Sequence, residues 1–480
     1  MSLPSFTSLK DEALIALDAI SDRTANVLNP TVKLGVTGLS RAGKTVFITS
    51  LVHNFIQGDH LPIFNVAREG RLLKVKLGEQ PDSKIARFEY EKHLDALLQK
   101  QIWPESTRSL SQLRIELYFA PHSSAFPILP RGKLNIDIID YPGEWLLDLP
   151  LLAKSYRQFS DESIERAKSG NHAKYAAKWL AEIQSINLLS DANERDIDSL
   201  SNSFKTYLQS AKNDGETISA LPPGRFLIPG SFDGAPVLSF SPLPDLGTSI
   251  FPENSIAKVM EQRYELYKRH VIMPFFREHI ARLDRQIILV DALQSINSGR
   301  DSIAEMQNAL AEILSCFRIG KNHWLKKLWK HKVNRILIAA TKSDHLHHTS
   351  HDRLEAITSE IVQKALKISG SQDISNDTFA IASIRSTREG TIDQKGTVLP
   401  VVIGTPLAGE VINGLHFDGK TETAVFPGDL PESLSELLDK NWHDQLHFVR
   451  FRPPKLTSQQ TFPHIRLDRA MEFLFGDYLI

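Results

Sequence analysis

A single cysteine, Cys316, stands in the 480 residues. A disulfide framework within the chain is therefore excluded, and a reducing, cytoplasmic location is expected. Cys316 falls within a predicted helix, where a thiol reads as a small core residue. No apolar run approaches the roughly 18 residues that cross a bilayer, so any membrane contact is expected to be peripheral at the inner membrane. Met1 to Leu9 lack the basic-then-apolar layout of a secretory signal. Charge of one sign is missing too: 56 Lys and Arg face 57 Asp and Glu. Global charge thus points to no nucleic-acid partner. Internal repeats and low-complexity tracts are absent. What remains is ordinary globular composition with room for about three domains.

The chain is organised around Gly38-Leu39-Ser40-Arg41-Ala42-Gly43-Lys44-Thr45. An apolar run, Val32 to Thr37, precedes it and reads as a buried strand. Val46 to Phe55 follows and reads as a helix. Strand, Gly-rich loop with Gly-Lys-Thr, then helix is the context a phosphate-binding loop requires. Gly38 and Gly43 let N–H groups turn inward, with Ser40, Arg41 and Ala42 between them. The helix N-terminus adds its positive dipole end. Lys44 is expected on the β- and γ-phosphates and Thr45 on Mg2+.

The expected fold is α/β, a mostly parallel sheet with one antiparallel hairpin strand. Residues 1–30 form a leading helix. The nucleotide domain takes 31–143, including a 58–102 insertion that ends in a helix over 83–101. Its strands are 113–119 and 134–140. A mostly helical insertion follows over 144–283, irregular at 221–250 and kinked at Pro274. The domain resumes over 284–385 with strands at 286–291, 335–340 and 378–382 and helices at 301–317 and 352–368. Asp301 or Ser302 is the expected cap of the first of these. Residues 386–462 read as a small β-rich insertion with strands near 399–404 and 446–452. Residues 463–480 carry the closing helix, over 466–479.

Asp140-Tyr141-Pro142-Gly143 ends a buried strand after the loop. Asp140 is placed to hold Mg2+ through water, and the Gly143 N–H to meet a γ-phosphate. Thr341-Lys342-Ser343-Asp344 ends another strand. Asp344 can accept from guanine N1–H and N2–H2 together, whereas adenine lacks that donor pair. The Lys342 stem can lie along the base, and His345 is placed to pack on it. Ser383 and Ile384 follow the last strand, where a main-chain N–H can meet guanine O6. Thr107 precedes the second strand, where a switch threonine closes on Mg2+ and phosphate. Trp103 either covers the nucleotide edge or is a core residue. His345, His347 and His348 have no Cys or carboxylate at ligand spacing and are not read as a metal site.

The motif order is similar to that of the Ras-like and translation-factor GTPases. More closely, the chain resembles the YcjX family of bacterial P-loop GTP-binding proteins. The resembling residues are the phosphate loop, Trp103-Pro-Glu-Ser-Thr-Arg108, Ile139 to Pro150, Pro223-Gly-Arg-Phe226 and Phe462 to Ala470. That resemblance implies a cytoplasmic, stress-linked GTPase that works with a membrane-associated protein partner.

Two positions depart from the usual pattern. Many relatives place Gln or His after Asp-x-x-Gly; here it is Glu144, whose charge would repel a γ-phosphate. Glu144 must point away, be protonated, or hold water at a distance. Arg41 lies inside the loop, either reaching the phosphates to stabilise transition-state charge in cis or pairing outward with a carboxylate. The long interruption after Gly143 implies that nucleotide state repositions the helical insert. The stretch Arg318 to Arg335 carries seven Lys or Arg, two Trp and no acid, a candidate surface for anionic lipid or an acidic partner. The leading expectation is a Mg2+-dependent GTPase switch with catalytic Lys44, Arg41 and Thr107. The alternative is a guanine-nucleotide-binding scaffold with negligible turnover.

Overall fold

The computed structural model describes residues 30–480 except 40, 59, 106–108, 123–131, 170–171, 214–220, 318–332, 372–374, 395, 413 and 440–445. The leading helix expected over 7–28 lies outside the described residues. At the centre is a sheet of β1 (Thr31–Gly38), β2 (Leu72–Leu77), β3 (Ala86–Arg87), β4 (Ser111–Phe119), β5 (Gly132–Asp140), β6 (Arg285–Val290), β7 (Arg335–Ala340) and β8 (Asn376–Ala380). Its order is β2-β4-β5-β1-β6-β7-β8, with β3 beside β4. β5, β1, β6, β7 and β8 pair in parallel; β4 runs antiparallel to β5.

Side chains alternate across this sheet, as a period of two requires. Val32, Leu34, Val36, Ile287 and Leu289 face one buried cluster, with α1 (Lys44–Gln57) and the C-terminal helix. Ile288 and Val290 face the other. Both faces are covered, so the strands read as near-continuous apolar runs. Gly35 of β1 leaves room for a β6 side chain: a Cβ there would lie 2.3 Å from Gln286 Oε1.

Several local expectations need correction. The region 58–102 is no loop-and-helix excursion: it donates β2 to the sheet edge, and its helix, α2, is shorter (Tyr90–Leu98). Lys74 and Lys76 are exposed on β2 and alternate with Leu73, Val75 and Leu77, the period-two pattern of an edge strand. The C-terminal part of the domain carries α8 (Arg300–Cys316), capped by Gly299 at φ 90 rather than by Asp301 or Ser302. Ser302 is buried. β8 ends at Ala380, and Ala382 pairs instead with Ile465. α9 (His351–Ser369) precedes β8, and α10 (Leu467–Phe475) closes the chain.

The insert after β5 opens with a 3-10 stretch, Gly143–Ala153. It continues through α3 (Tyr156–Lys168), α4 (Ala173–Ser185), α5 (Glu194–Asn213), α6 (Ile256–Tyr267) and α7 (Met273–Glu278). The π-helical Lys268–Ile272 joins α6 to α7, and the helix runs on through Pro274, in the first turn of α7, to Glu278. The Pro/Gly-rich stretch 221–250 is irregular but not peripheral: Phe226, Phe240 and Leu243 are fully buried. Phe226 and Phe240 meet edge-on at 4.8 Å, and Trp179 stacks on Tyr207 at 5.5 Å. This aromatic core is continuous with the sheet face through Tyr141 and Phe275.

The β-rich region holds β9 (Arg388–Gln394), β10 (Thr397–Gly404), β11 (Val411–Ile412), β12 (Leu415–His416) and β13 (Thr423–Val425). β9 and β13 flank β10. No ladder strand forms over 446–452. The Arg450 N–H is spent on the Glu410 carboxylate at 2.9 Å, and only Phe451 bridges Pro406.

Candidate functional site: a phosphate loop and two buried carboxylates

β1 delivers the chain into the loop, which is folded on itself by Ala42 N–H donating to Leu39 O at 3.1 Å. Leu39 N–H donates to Leu289 O at 3.0 Å, tying the loop to β6. Arg41 and Gly43 adopt left-handed backbone, φ 62 and 76. α1 then starts with no side-chain cap and no acidic residue in its first turn. Its N-terminal amides and dipole end are thereby left for an anion. Gly143 packs directly on the loop: a Cβ there would lie 2.2 Å from Gly38 O. Only glycine permits that approach.

Lys44 Nζ forms an ion pair with Asp140 Oδ1. Asp140 is fully buried, and its Oδ2 accepts from Ser111 Oγ at 3.3 Å. Thr45, also buried, donates through Oγ1 to Glu105 O at 3.3 Å. A hydroxyl and a carboxylate beside an anion-binding helix start are the hard oxygen donors that suit Mg2+. Thr45 and Asp140 are the residues that would hold it. Ser40 and Thr107 lie outside the described residues. Arg41 is exposed, with no carboxylate partner among the described residues.

At the ends of β7 and β8 a second constellation forms. Thr341 N–H continues the sheet to Val290 O at 2.9 Å. Lys342 takes φ 63, and its Nζ pairs with Asp291 at the end of β6. Asp344 is buried; its Oδ2 accepts from Ser386 N–H at 2.9 Å and Ser386 Oγ at 2.6 Å. The Thr387 hydroxyl donates to Asp344 O at 2.5 Å. Neither Asp291, Ser386 nor Thr387 was singled out in the sequence. Each meets its partner only through tertiary folding, although Asp291 does stand at a strand end.

Ser383 lies one turn earlier, where its carbonyl accepts from Ser50 Oγ at 2.5 Å. The Ile384 side chain packs in a small cluster with Leu97, Leu98 and Phe462. Its N–H has no backbone partner among the described residues. Trp103, half-buried, borders the same cluster and donates from Nε1 to Phe451 O at 2.6 Å. Phe451 also meets His345 edge-on at 5.6 Å. Burial holds the His345 imidazole below its ordinary pKa.

Beyond Gly143 the chain is locked to the helical insert. Glu144 Oε1 pairs with Lys212 Nζ of α5 at 2.7 Å. Asp148 accepts from Gly224 N–H at 2.7 Å, Arg225 N–H at 3.3 Å and the Tyr267 hydroxyl at 2.7 Å. The Arg225 guanidinium lies 3.2 Å over the Trp145 ring. His347 and His348, read above as lacking an acidic companion, receive one from far along the chain, Glu389. The basic stretch over 318–335 lies outside the described residues except for 333–335.

The YcjX-like family (DUF463) matches residues 32–479, nearly the whole chain. The chain belongs to the YcjX-like family. A relative from Escherichia coli, the Ras-like GTPase YcjX, is 35% identical over 462 residues, covering 93% of this chain and 96% of that protein. A Ras-like GTPase YcjX from Shewanella oneidensis is 32% identical over 493 residues, covering 97% and 99%. The fold accordingly is a P-loop GTPase α/β fold with a mostly parallel sheet, a large helical insertion and a smaller β-rich one. Among the described residues no helix is long and apolar enough to cross a membrane.

Proposed function

We propose that this YcjX-like chain binds guanine nucleotide and hydrolyses GTP slowly to GDP and phosphate with Mg2+, and that the helical insert reads its nucleotide state. The observation that carries this reading is the buried carboxylate of Asp344. Ser386 takes one oxygen, and no hydrogen bond among the described residues reaches the other. A purine with two adjacent N–H donors satisfies that oxygen; adenine would leave it stranded. The names of the relatives support the same reading.

At the phosphate end, a nucleotide offers Lys44 phosphate oxygens in place of Asp140, freeing that carboxylate for the cation. Mg2+ when bound supplies charge neutralisation at the phosphates. The loop amides would orient the phosphates, and Gly143 N–H, packed on the loop at Gly38, would sense the terminal one. Arg41 is exposed within the loop and can swing to the phosphates, and Thr107 would close from the second-strand side. Lys212 neutralises Glu144 and holds it on the insert, so no Gln-like group orients the attacking water. Turnover is therefore slow, and a partner is expected to raise it. The basic stretch 318–335 is the candidate surface for a membrane-associated partner or anionic lipid; Lys326, Lys327 and Lys330 changed together to Glu should abolish liposome association.

Phosphate release with Mg2+ tests this, with ATP as control and Lys44→Ala beside the wild type. GTP-selective turnover lost in Lys44→Ala supports the GTPase. Tight GTP binding without turnover would favour the scaffold reading.

A further inference from the structure

We propose that His347, His348 and Glu389 form a site for a divalent transition metal of zinc-like chemistry, which staples the loop after Asp344 to the start of β9. One ligand atom from each lies within 4.8 Å of the others. His348 Nδ1 is 2.7 Å and His347 Nε2 3.9 Å from Glu389 Oε2, and the two imidazole centroids are 4.2 Å apart. Two imidazoles and a carboxylate are the nitrogen and oxygen donors that Zn2+, Co2+ and Ni2+ favour. Metal–donor distances of about 2.0–2.2 Å place tetrahedral donors roughly 3.3 Å apart. The observed separations bracket that value, so small side-chain rotations, above all of the exposed His348, would complete the site. A fourth position stays open to water.

The surroundings set the affinity. Arg385 Nη2 pairs with Glu389 Oε1 at 3.0 Å, which orients the carboxylate and leaves Oε2 to the imidazoles. The same guanidinium repels a cation, so micromolar rather than nanomolar binding is expected. His347 is 11% exposed, Glu389 23% and His348 65%, which leaves a path for entry.

The position gives the site a purpose. His347 lies three residues after Asp344, and Glu389 three residues after Ser386. Asp344 and Ser386 are themselves hydrogen-bonded. A metal would close a second link across the same two segments and hold the Asp344 carboxylate in place. That consequence, unlike the site itself, rests on the nucleotide reading above.

The test uses chelator-treated full-length protein titrated with ZnCl2, and with CoCl2 read by visible absorption. His348→Ala alters an exposed residue and Glu389→Gln keeps shape, so circular dichroism should be unchanged in both. The expected result is one site per chain in the wild type, at least tenfold weaker in each variant. Equal isotherms in all three proteins, showing capture by other histidines, would overturn the site, as would no binding at millimolar metal. In a separate arm, Zn2+ should raise GDP affinity severalfold in the wild type only. A bound metal without that gain would overturn the staple while leaving the site. No GDP binding at all would instead count against the nucleotide reading.

Discussion

Gly224 stands so close to Glu144 that a Cβ would lie 1.9 Å from the Glu144 carbonyl oxygen. Asp148 holds the same glycine by its N–H. The insert is thus pinned to the two ends of one helical turn, beginning at the residue after Gly143. Gly224→Ala must separate them, and overpacking of this kind costs about 1–3 kcal/mol or more. Urea denaturation should show a loss of that size. A change under about 0.5 kcal/mol would mean the contact is loose.

Lys212 and Glu144 form the charged half of this lock. Lys212→Ala leaves the Glu144 carboxylate unneutralised beside the phosphate loop. Affinity for GTP should then fall several-fold more than affinity for GDP. Lys212→Ala combined with Glu144→Gln should restore the ratio, because the repelling charge is gone. Equal losses for both nucleotides would show that Glu144 lies too far from the γ-phosphate to matter.

Burial pushes Asp148 up to about 6, against the hydrogen bonds from Tyr267 and Gly224. Its unfolded value is near 3.9, so folding takes up a proton between about pH 4 and 6. Stability from this group is full below that window and falls as pH rises through it. Two pH units correspond to about 3 kcal/mol. The stability of the wild type minus that of Asp148→Asn should therefore decline from pH 4 to 7 and level off above. A flat difference would show that Asp148 is ionised throughout.

Arg41 is exposed in the loop in left-handed conformation. If it acts on developing charge, Arg41→Ala lowers kcat by at least tenfold with GDP affinity nearly unchanged. Matching losses in kcat and affinity would assign it to ground-state binding.

Much of this architecture is legible in the chain. β1, β6 and β7 are buried on both faces and so stand out as apolar runs, and the phosphate loop follows the first of them. β2 leaves only a short trace, Lys74 and Lys76 alternating with Leu73, Val75 and Leu77, too brief to stand out beside the buried strands. Residues 221–250 look like loop, since proline and glycine break every period, yet Phe226 and Phe240 are core. The hold on Asp344 is not legible: Ser386, which makes the bond, carries no local pattern and lies 42 residues away. Asp291 and Glu389 carry no local pattern, since their partners lie 51 and 41 residues away.

In the proposed reading Asp344 selects guanine. Equilibrium binding of GDP, ADP and xanthosine diphosphate to the wild type and to Asp344→Asn tests it most directly. GDP should bind more tightly than ADP by at least a hundredfold in the wild type. In the variant GDP should weaken at least tenfold and xanthosine diphosphate strengthen, since the amide donates where the carboxylate only accepted. Comparable GDP and ADP affinities in the wild type, or an unchanged preference in the variant, would contradict it.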